Sequence, residues 1–377
     1  MKRKSAFAGI SLLLILAACQ GLGTGSPVAS PVPTAALPAV DRIAFVAEDS
    51  SVIPHIYVVN VDRGELMRIP DDGEGYNPAW SPDGQSIAFV GAYGLALAEL
   101  NSNQLNYLAD FRNEEMPPIF GITWSPDGRQ IAYSVCHVDE ANIYVLSVDM
   151  KRIDGKLKVN ASVPKRITSQ HVSALGLTWS PNGRQIGFYW NEMDAPVNIA
   201  VIDVVEGLKS KNGVVRDDLA EGMTLSWSPD GDRIVFSSIR YGVDVRDIKG
   251  DELHIINADG SNEMRLAESG SCPVWLPPGD QIAYVSRSIG ANGKVNDEIY
   301  LVNANGSQPK KLTDLPSGTG CPVWSPDGKR IAFLSDRDGQ DEIYVMNTDG
   351  SNVRRLTNSV GFIRWPLVWQ PRPSSAP

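Results

Sequence analysis

The sequence predicts an all-β protein, a seven-bladed β-propeller of four-stranded antiparallel blades, closed by pairing of the C-terminal strand with the N-terminal three. Three observations predict it. A tryptophan recurs as Trp80, Trp124, Trp179, Trp227, Trp275, Trp324 and Trp369. Its spacings of 44, 55, 48, 48, 49 and 45 residues are the period of propellers and solenoids. Six of the seven are followed by a turn: SPDG at 81–84, 125–128, 228–231 and 325–328, SPNG at 180–183, and LPPG at 276–279. Finally, the two ends are complementary fragments. The first repeat lacks its tryptophan strand, and Trp369 has no strand after it. Rings of six or eight blades are the alternatives. A helical solenoid would need apolar residues at a 3.6-residue period, and no run here is long enough to show one.

Residues 1–18 read as a signal peptide. Lys2, Arg3 and Lys4 precede a short apolar stretch over 10–18, too short to span a bilayer and flanked as a secretory signal is. Residues 19–41 contain almost only Gly, Ser, Pro, Ala, Thr, Val and Leu up to Val40 and carry no charge there. That composition cannot bury a core and reads as an extended tether, able to reach about 60 Å.

The propeller is expected over 42–370, with a tail at 371–377. In each turn Pro suits position i+1, Asp or Asn i+2, and Gly the left-handed position; Pro278 is disfavoured at its place and should bend its hairpin differently. After each turn comes an apolar run such as Ile87-Ala88-Phe89 or Ile331-Ala332-Phe333. These runs have no polar alternate, so both faces of the strand should be covered. A third strand follows (Ile143–Leu146, Ile299–Val302, Ile343–Met346). A tight turn (257–261, 303–307, 347–351) then leads to a weaker fourth strand ending in Arg-Leu or Leu-Thr.

The full pattern, P-x-W-S-P-D-G…I-A-F…I-Y-V-M-N-x-D-G-S…R-R-L-T, resembles TolB-like propeller repeats and, more distantly, the propellers of prolyl oligopeptidases. The resemblance covers about 42–370. It implies an exported protein that docks a protein or peptide partner on a propeller. TolB has six blades and an α/β domain ahead of them without a counterpart in this sequence, so partner and transport role do not carry over. Likewise Leu16-Ala17-Ala18-Cys19 resembles a bacterial lipoprotein box. That resemblance implies lipidation of Cys19, and more than one acyl chain is what stable anchoring requires. The expected location is therefore exported, lipid-anchored to the membrane, facing the periplasm or exterior.

The formal net charge is −10, and loss of Lys2, Arg3 and Lys4 leaves −13. An acidic surface repels phosphate backbones, which excludes nucleic acid as the expected partner. Besides Cys19 there are three cysteines. Cys272 and Cys321 each stand three residues before a tryptophan, in the same register on neighbouring inner strands. They are a candidate disulfide, permitted in an exported protein; the alternative is two small buried hydrophobes. Cys136 is left unpaired.

There is no GxSxG elbow, HExxH, CxxC or Walker loop, so no catalytic residue, cofactor or metal ligand is assigned and a non-enzyme is expected. His254 fills the slot held by Tyr57, Tyr144, Tyr300 and Tyr344 and reads as a packed strand residue. His55 and His137 read as loop residues; with His171 they are a weak alternative metal set.

The candidate binding surface is one rim of the ring, where the loops vary most. Arg240, Arg287 and Arg337 fall just after the second strand in three successive blades, and Asp251-Glu252, Asp297-Glu298 and Asp341-Glu342 just before the third. These predict either a ring of alternating charge that grips a polar ligand or partner segment, or pairing within each blade. The loop Asp336–Glu342, with Asp336 and Asp338, has the oxygen density for calcium but not the EF-hand spacing. Opposite this rim, insertions at Lys151–Pro164 and Glu206–Gly213 carry several lysines. They are either a second contact surface or tolerated loop growth. The expected function is a membrane-tethered, monomeric, non-enzymatic recognition platform in the cell envelope; the alternative is a small-ligand-binding or hydrolase/lyase-type enzyme at the channel mouth.

Overall fold

The computed structural model describes residues 41–372 apart from 49–52, 101, 103, 113–118, 138–139, 169–172, 192–196, 207–213, 220–223, 242–247, 278, 290–294, 315–319 and 359–360. Seven antiparallel sheets follow one another along the chain, and no helix occurs among the described residues. Blade 2 shows the plan: Tyr76–Trp80, Ser86–Gly91, Gly94–Glu99 and Leu105–Asp110, paired in that order. Blades 3 to 7 begin at Ile119, Ser173, Leu225, Ser271 and Val323, each with a tryptophan ending its innermost strand.

Blade 1 is the seam. Its inner strand is Phe362–Trp369, paired with Arg42–Glu48, which continues to Pro54–Asn60 and Leu66–Arg68. Ile43 lies opposite Trp369, and Glu48 opposite Phe362. The expected closure is present.

The hydrophobic core lies between blades rather than within them. Seven apolar clusters each join two neighbours; one holds Ala44, Val46 and Ile56 of blade 1 with Trp80, Ile87 and Phe89 of blade 2, and another closes the ring through Leu334 and Val345 of blade 7 with Phe45 and Trp369. The second strands are therefore covered on both faces, and Ser86–Gly91 is buried throughout.

The recurrent tryptophan is explained by the apolar area it buries and, in four blades, by what its ring nitrogen reaches. Trp80 donates to the Val368 carbonyl (3.0 Å), Trp124 to Ala79 (3.1 Å), Trp227 to Thr178 (3.2 Å) and Trp324 to Val274 (3.3 Å). Each acceptor is the residue just before the tryptophan of the preceding blade. In these four blades one side chain supplies apolar area to the interface and a hydrogen bond across it. The buried ring nitrogens of Trp179, Trp275 and Trp369 find no partner among the described residues, so apolar area is what all seven share.

The turn after the tryptophan also has a local cause. The Ser125 hydroxyl donates to Asp127 (2.6 Å), and Ser325 to Asp327 (2.7 Å), while the Gln85 amide donates to Asp83 (3.0 Å). The serine and aspartate brace the turn against each other. Glycine closes it at φ 65–79° in the SPDG and SPNG copies, whereas Gly279 sits at 109°, beside the Pro278 substitution.

One departure from the plan is an added hairpin. The third strand of blade 3, Glu140–Ile153, runs past the end of its sheet and folds back as Lys156–Ala161. The chain returns to pair Lys165–Arg166 with Tyr144–Val145 as the usual fourth strand.

Candidate functional site on the upper rim

The second strands end and the third strands begin on one face of the ring, the upper rim; the Ser-Pro-Asp-Gly turns lie on the opposite, lower face. In five blades the tryptophan strand reaches the lower face after a bulge near the upper rim. The residue three before the tryptophan adopts a left-handed backbone at Asn77 (φ 48°), Gly176 (63°) and Cys272 (51°), and the pairing register shifts there. This bulged position faces the neighbouring blade. Asn77 Nδ2 donates to the Ile119 carbonyl of blade 3 (3.1 Å). In blades 6 and 7 the same position carries Cys272 and Cys321, joined in a disulfide with Cα atoms 5.2 Å apart. The side chain of Cys136 lies outside the described residues.

The glutamates of the Asp-Glu dipeptides turn inward and close blades 5 to 7 upon themselves. Glu252, Glu298 and Glu342 are buried. Each meets the basic residue of its fourth strand: Arg265 with Glu252 (3.0 Å), Lys311 with Glu298 (3.0 Å), and Arg355 with Glu342. A threonine completes the arrangement. Thr313 donates to Glu298 (2.7 Å) and accepts from the Ile299 amide (2.9 Å), and Thr357 repeats this between Glu342 and the Ile343 amide (2.9 Å). The Leu-Thr ending of the repeat is therefore a latch on the third strand.

The predicted arginines fare differently. Arg287 is bonded through Nε and Nη2 to both carboxylate oxygens of Asp297 (2.8 and 2.9 Å), so of the two readings, pairing within the blade describes it. Arg240 lies in the strand Arg233–Tyr241, and its side chain lies outside the described residues. Arg337 meets no carboxylate among the described residues. Its guanidinium sits 4.4 Å over the Tyr344 ring and 5.4 Å from Phe333, with a long bond to the Ser335 hydroxyl (3.4 Å). Its Nη2 and the neighbouring Asp336 Oδ1 are shielded from solvent and make no hydrogen bond among the described residues. Asp338 accepts from the Tyr344 hydroxyl and lies 3.6 Å from Arg355. Burial, and then Asp338, push the Tyr344 hydroxyl up to about 12; burial, and then Asp336, raise the Asp341 carboxyl. A ring of alternating free charge is therefore not what the described residues form: blade 6 is neutralised, and blade 7 carries an incomplete polar corner.

A second corner lies between blades 1 and 2. His55 lies in the strand Pro54–Asn60, not in a loop, and His137 likewise ends the strand Gln130–His137. His55 precedes Ile56-Tyr57 as Glu298 precedes Ile299-Tyr300, so an imidazole stands where blades 5 to 7 have a carboxylate. Its acid comes from outside the strand: His55 Nδ1 lies 2.8 Å from Asp71, both fully buried, and Arg68 reaches Asp71 from the other side (2.9 Å). Burial works against the Asp71 carboxylate, but the His55 and Arg68 hydrogen bonds outweigh it and hold its pKa below the usual range. Glu74 next to it is raised, by burial and then by Asp72. Aligning the Ile-Tyr pairs would have shown His55 in the latch position; nothing in the spacing points to Asp71.

His254 stacks on Phe236 with ring centres 5.5 Å apart, the packed strand position expected of it. His171 and Cys19 lie outside the described residues. Among the described residues no three His, Cys, Asp or Glu side chains are arranged to hold a metal ion.

Comparison with known proteins matches this architecture. A family model described as the TolB beta propeller domain matches residues 271–372, which span blades 6 and 7 and the closing strand. The crystal structure of TolB from Acinetobacter baumannii is similar at TM-score 0.51 and 18% identity, covering 85% of this chain and 79% of that one. An oligogalacturonate lyase from Vibrio parahaemolyticus is similar at TM-score 0.55 and 16% identity, covering 85% of each chain. A curated relative, an uncharacterized protein of Agrobacterium fabrum, is 26% identical over 181 residues, 45% of this chain and 55% of its own length; the match thus spans about half of that relative. The repeats of its last two blades match the TolB beta propeller model, and the ring as a whole has the β-propeller fold of these solved structures.

Proposed function

We propose that the chain is an exported, membrane-tethered, non-enzymatic propeller that presents its upper rim to a protein or peptide partner in the cell envelope. The observation that carries this reading is the corner at Asp336 and Arg337. It offers an arginine held over two aromatic rings, the residue types that dominate protein interfaces. Beside it stand one donor and one acceptor without partners, and leaving such groups unmade is costly. Both atoms are shielded in the free chain, so the rim loop must shift for a partner main chain to supply the complements, a carbonyl for Arg337 and an amide for Asp336, whereas a purely anionic ligand would be repelled by Asp336, Asp338 and Asp341. The tether is supported by the signal-like 1–18 stretch and the lipoprotein-like box at Cys19. Export is supported by the Cys272–Cys321 disulfide, since such bonds persist in oxidising compartments.

Affinity capture from crosslinked membranes tests the site. Arg337→Ala should lose the captured partner, while Arg287→Ala, whose guanidinium is already matched by Asp297, should keep it. An identical partner set from Arg337→Ala and the unaltered chain would remove this corner from the proposal.

A second reading, an enzyme at the channel mouth, is supported by the fold likeness to the Vibrio lyase and by the His55–Asp71 pair. Turnover of oligogalacturonate that His55→Ala abolishes would select it. The buried state of His55 and the acids around it favour the first reading.

A further inference from the structure

The hairpin added to blade 3 has two unlike faces. Met150 and Val159 pack on the apolar cluster between blades 2 and 3, and Leu157 is buried in it. Arg152 reaches Gln85 (2.9 Å) and Glu99 of blade 2, and Gln104 donates to the Leu157 carbonyl (2.9 Å). The hairpin is thus strapped across its neighbour, and the reading of the insertion as tolerated loop growth does not describe it.

Alternation along a strand sends the other residues to solvent. The outer face carries Lys151, Ile153, Lys156 and Lys158, all exposed. Lys151 stands directly opposite Lys158, and Ile153 opposite Lys156. Like charges facing each other across a strand pair are destabilising, yet only Lys151 has an acid, Asp149 (2.6 Å). Lys156, Lys158 and the nearby Lys165 have no ion pair among the described residues. Two apolar side chains accompany them: Ile153 is 52% exposed and Val163 88% exposed. On a chain of net charge −10, this is a local basic surface with two exposed aliphatic side chains and one acid, Asp154, in the turn at its tip.

Its position gives it a direction. Glu140–Ile153 leaves its blade at the lower face, where Val148 bonds Arg129 beside the SPDG turn. Arg42 opens its strand at that same face, next to Asn60 and Gln370. The segment that precedes Asp41 therefore joins the ring on the face from which the basic hairpin projects.

We infer that the outer face of this hairpin, Lys151, Lys156 and Lys158 with Ile153, docks on an anionic lipid surface and orients the propeller with its upper rim outward. The inference rests on the tethered reading for its orientation but not for its chemistry. Basic side chains are drawn to anionic headgroups, aliphatic tips enter the interface, and the Lys151–Lys158 repulsion is relieved by the surface charge.

The test uses the chain from residue 19 onward with Cys19→Ser, so that neither an acyl chain nor the basic, apolar 1–18 stretch contributes. It should bind vesicles of phosphatidylcholine with phosphatidylglycerol, bind phosphatidylcholine alone far less, and release as salt rises. Lys158→Glu should lower the affinity roughly five-fold or more, and the Lys151, Lys156 and Lys158 triple Glu variant on the order of a hundredfold. Lys158→Glu should leave the melting temperature unchanged or higher, since it replaces a like-charge pair with an opposite one, which separates docking from folding. Equal binding to both vesicle types, no binding to either, or unchanged binding by the triple variant would overturn the inference. Membrane fractionation of cells with and without Cys19→Ser tests the tether separately.

Discussion

At the scale of single residues, the repeat is a set of side chains that satisfy the backbone of their own or the neighbouring blade. Thr357 shows this best. It is buried, accepts from the Ile343 amide and donates to Glu342. Thr357→Val keeps the shape and removes the hydroxyl, leaving a buried amide and part of a buried carboxylate unmatched. The expected cost is about 1–3 kcal/mol, read as a lower denaturant midpoint with an unchanged slope. A loss within error of zero would mean that Arg355 alone holds Glu342. The same logic explains which residues were legible beforehand. The Trp, Pro, Asp and Gly of each turn act within a few residues of one another, so their spacing reveals them. The His55–Asp71 pair joins positions 16 residues apart across a turn and a fourth strand, and Asp71 belongs to no repeated motif. Arg337 was legible as a rim arginine. Its placement over Tyr344 was not, because that depends on which side of the third strand faces the loop.

At the scale of elements, the strands were read from their apolar runs because both faces of a second strand are covered, which removes polar alternates. The hairpin 149–161 escaped that reading. Its strand Lys156–Ala161 alternates Lys with Leu and Val, the mark of a half-exposed strand, and its partner is an extension of a strand whose own pattern ends at Leu146. The disulfide between the inner strands of blades 6 and 7 closes a separation of 49 residues. Constraining the unfolded chain over that length contributes about 2–4 kcal/mol. Replacing both Cys272 and Cys321 with Ala should lower stability by that amount, and reductant should lower the unaltered protein to match while leaving the double variant where it is. A melting temperature indifferent to reductant, with two free thiols detected before treatment, would show that the bond does not form.

For the molecule as a whole, the complementary ends decide whether there is a ring at all. Removing residues 362–377 deletes the inner strand of blade 1 and uncovers the edge of Arg42–Glu48, together with Ile43 and Phe45, which the closed ring buries completely. Exposed apolar edges recruit other chains. The truncated protein should therefore aggregate, or unfold without a single cooperative transition, rather than persist as a monomer, as light scattering during thermal denaturation would show. A soluble, cooperatively melting monomer would mean that the other six blades hold the circle without their latch. The number of blades followed from counting the tryptophans. That the Lys151–Pro164 insertion lies opposite the variable rim was legible from its place after a third strand; that it folds as a hairpin strapped to blade 2 was not, because that depends on side chains of the neighbouring blade.

The seam also bears on mechanics. Asp41 is clasped by Arg330 of blade 7 and by Arg372 beyond the last strand, and Arg42–Glu48 is paired residue by residue with Pro54–Asn60. A pull on the chain ahead of Asp41 runs along that strand's axis, so it loads the whole ladder of backbone bonds in shear at once instead of unzipping them one by one. A protein held by a leash at this point would resist being dragged open at the very place where its circle was joined.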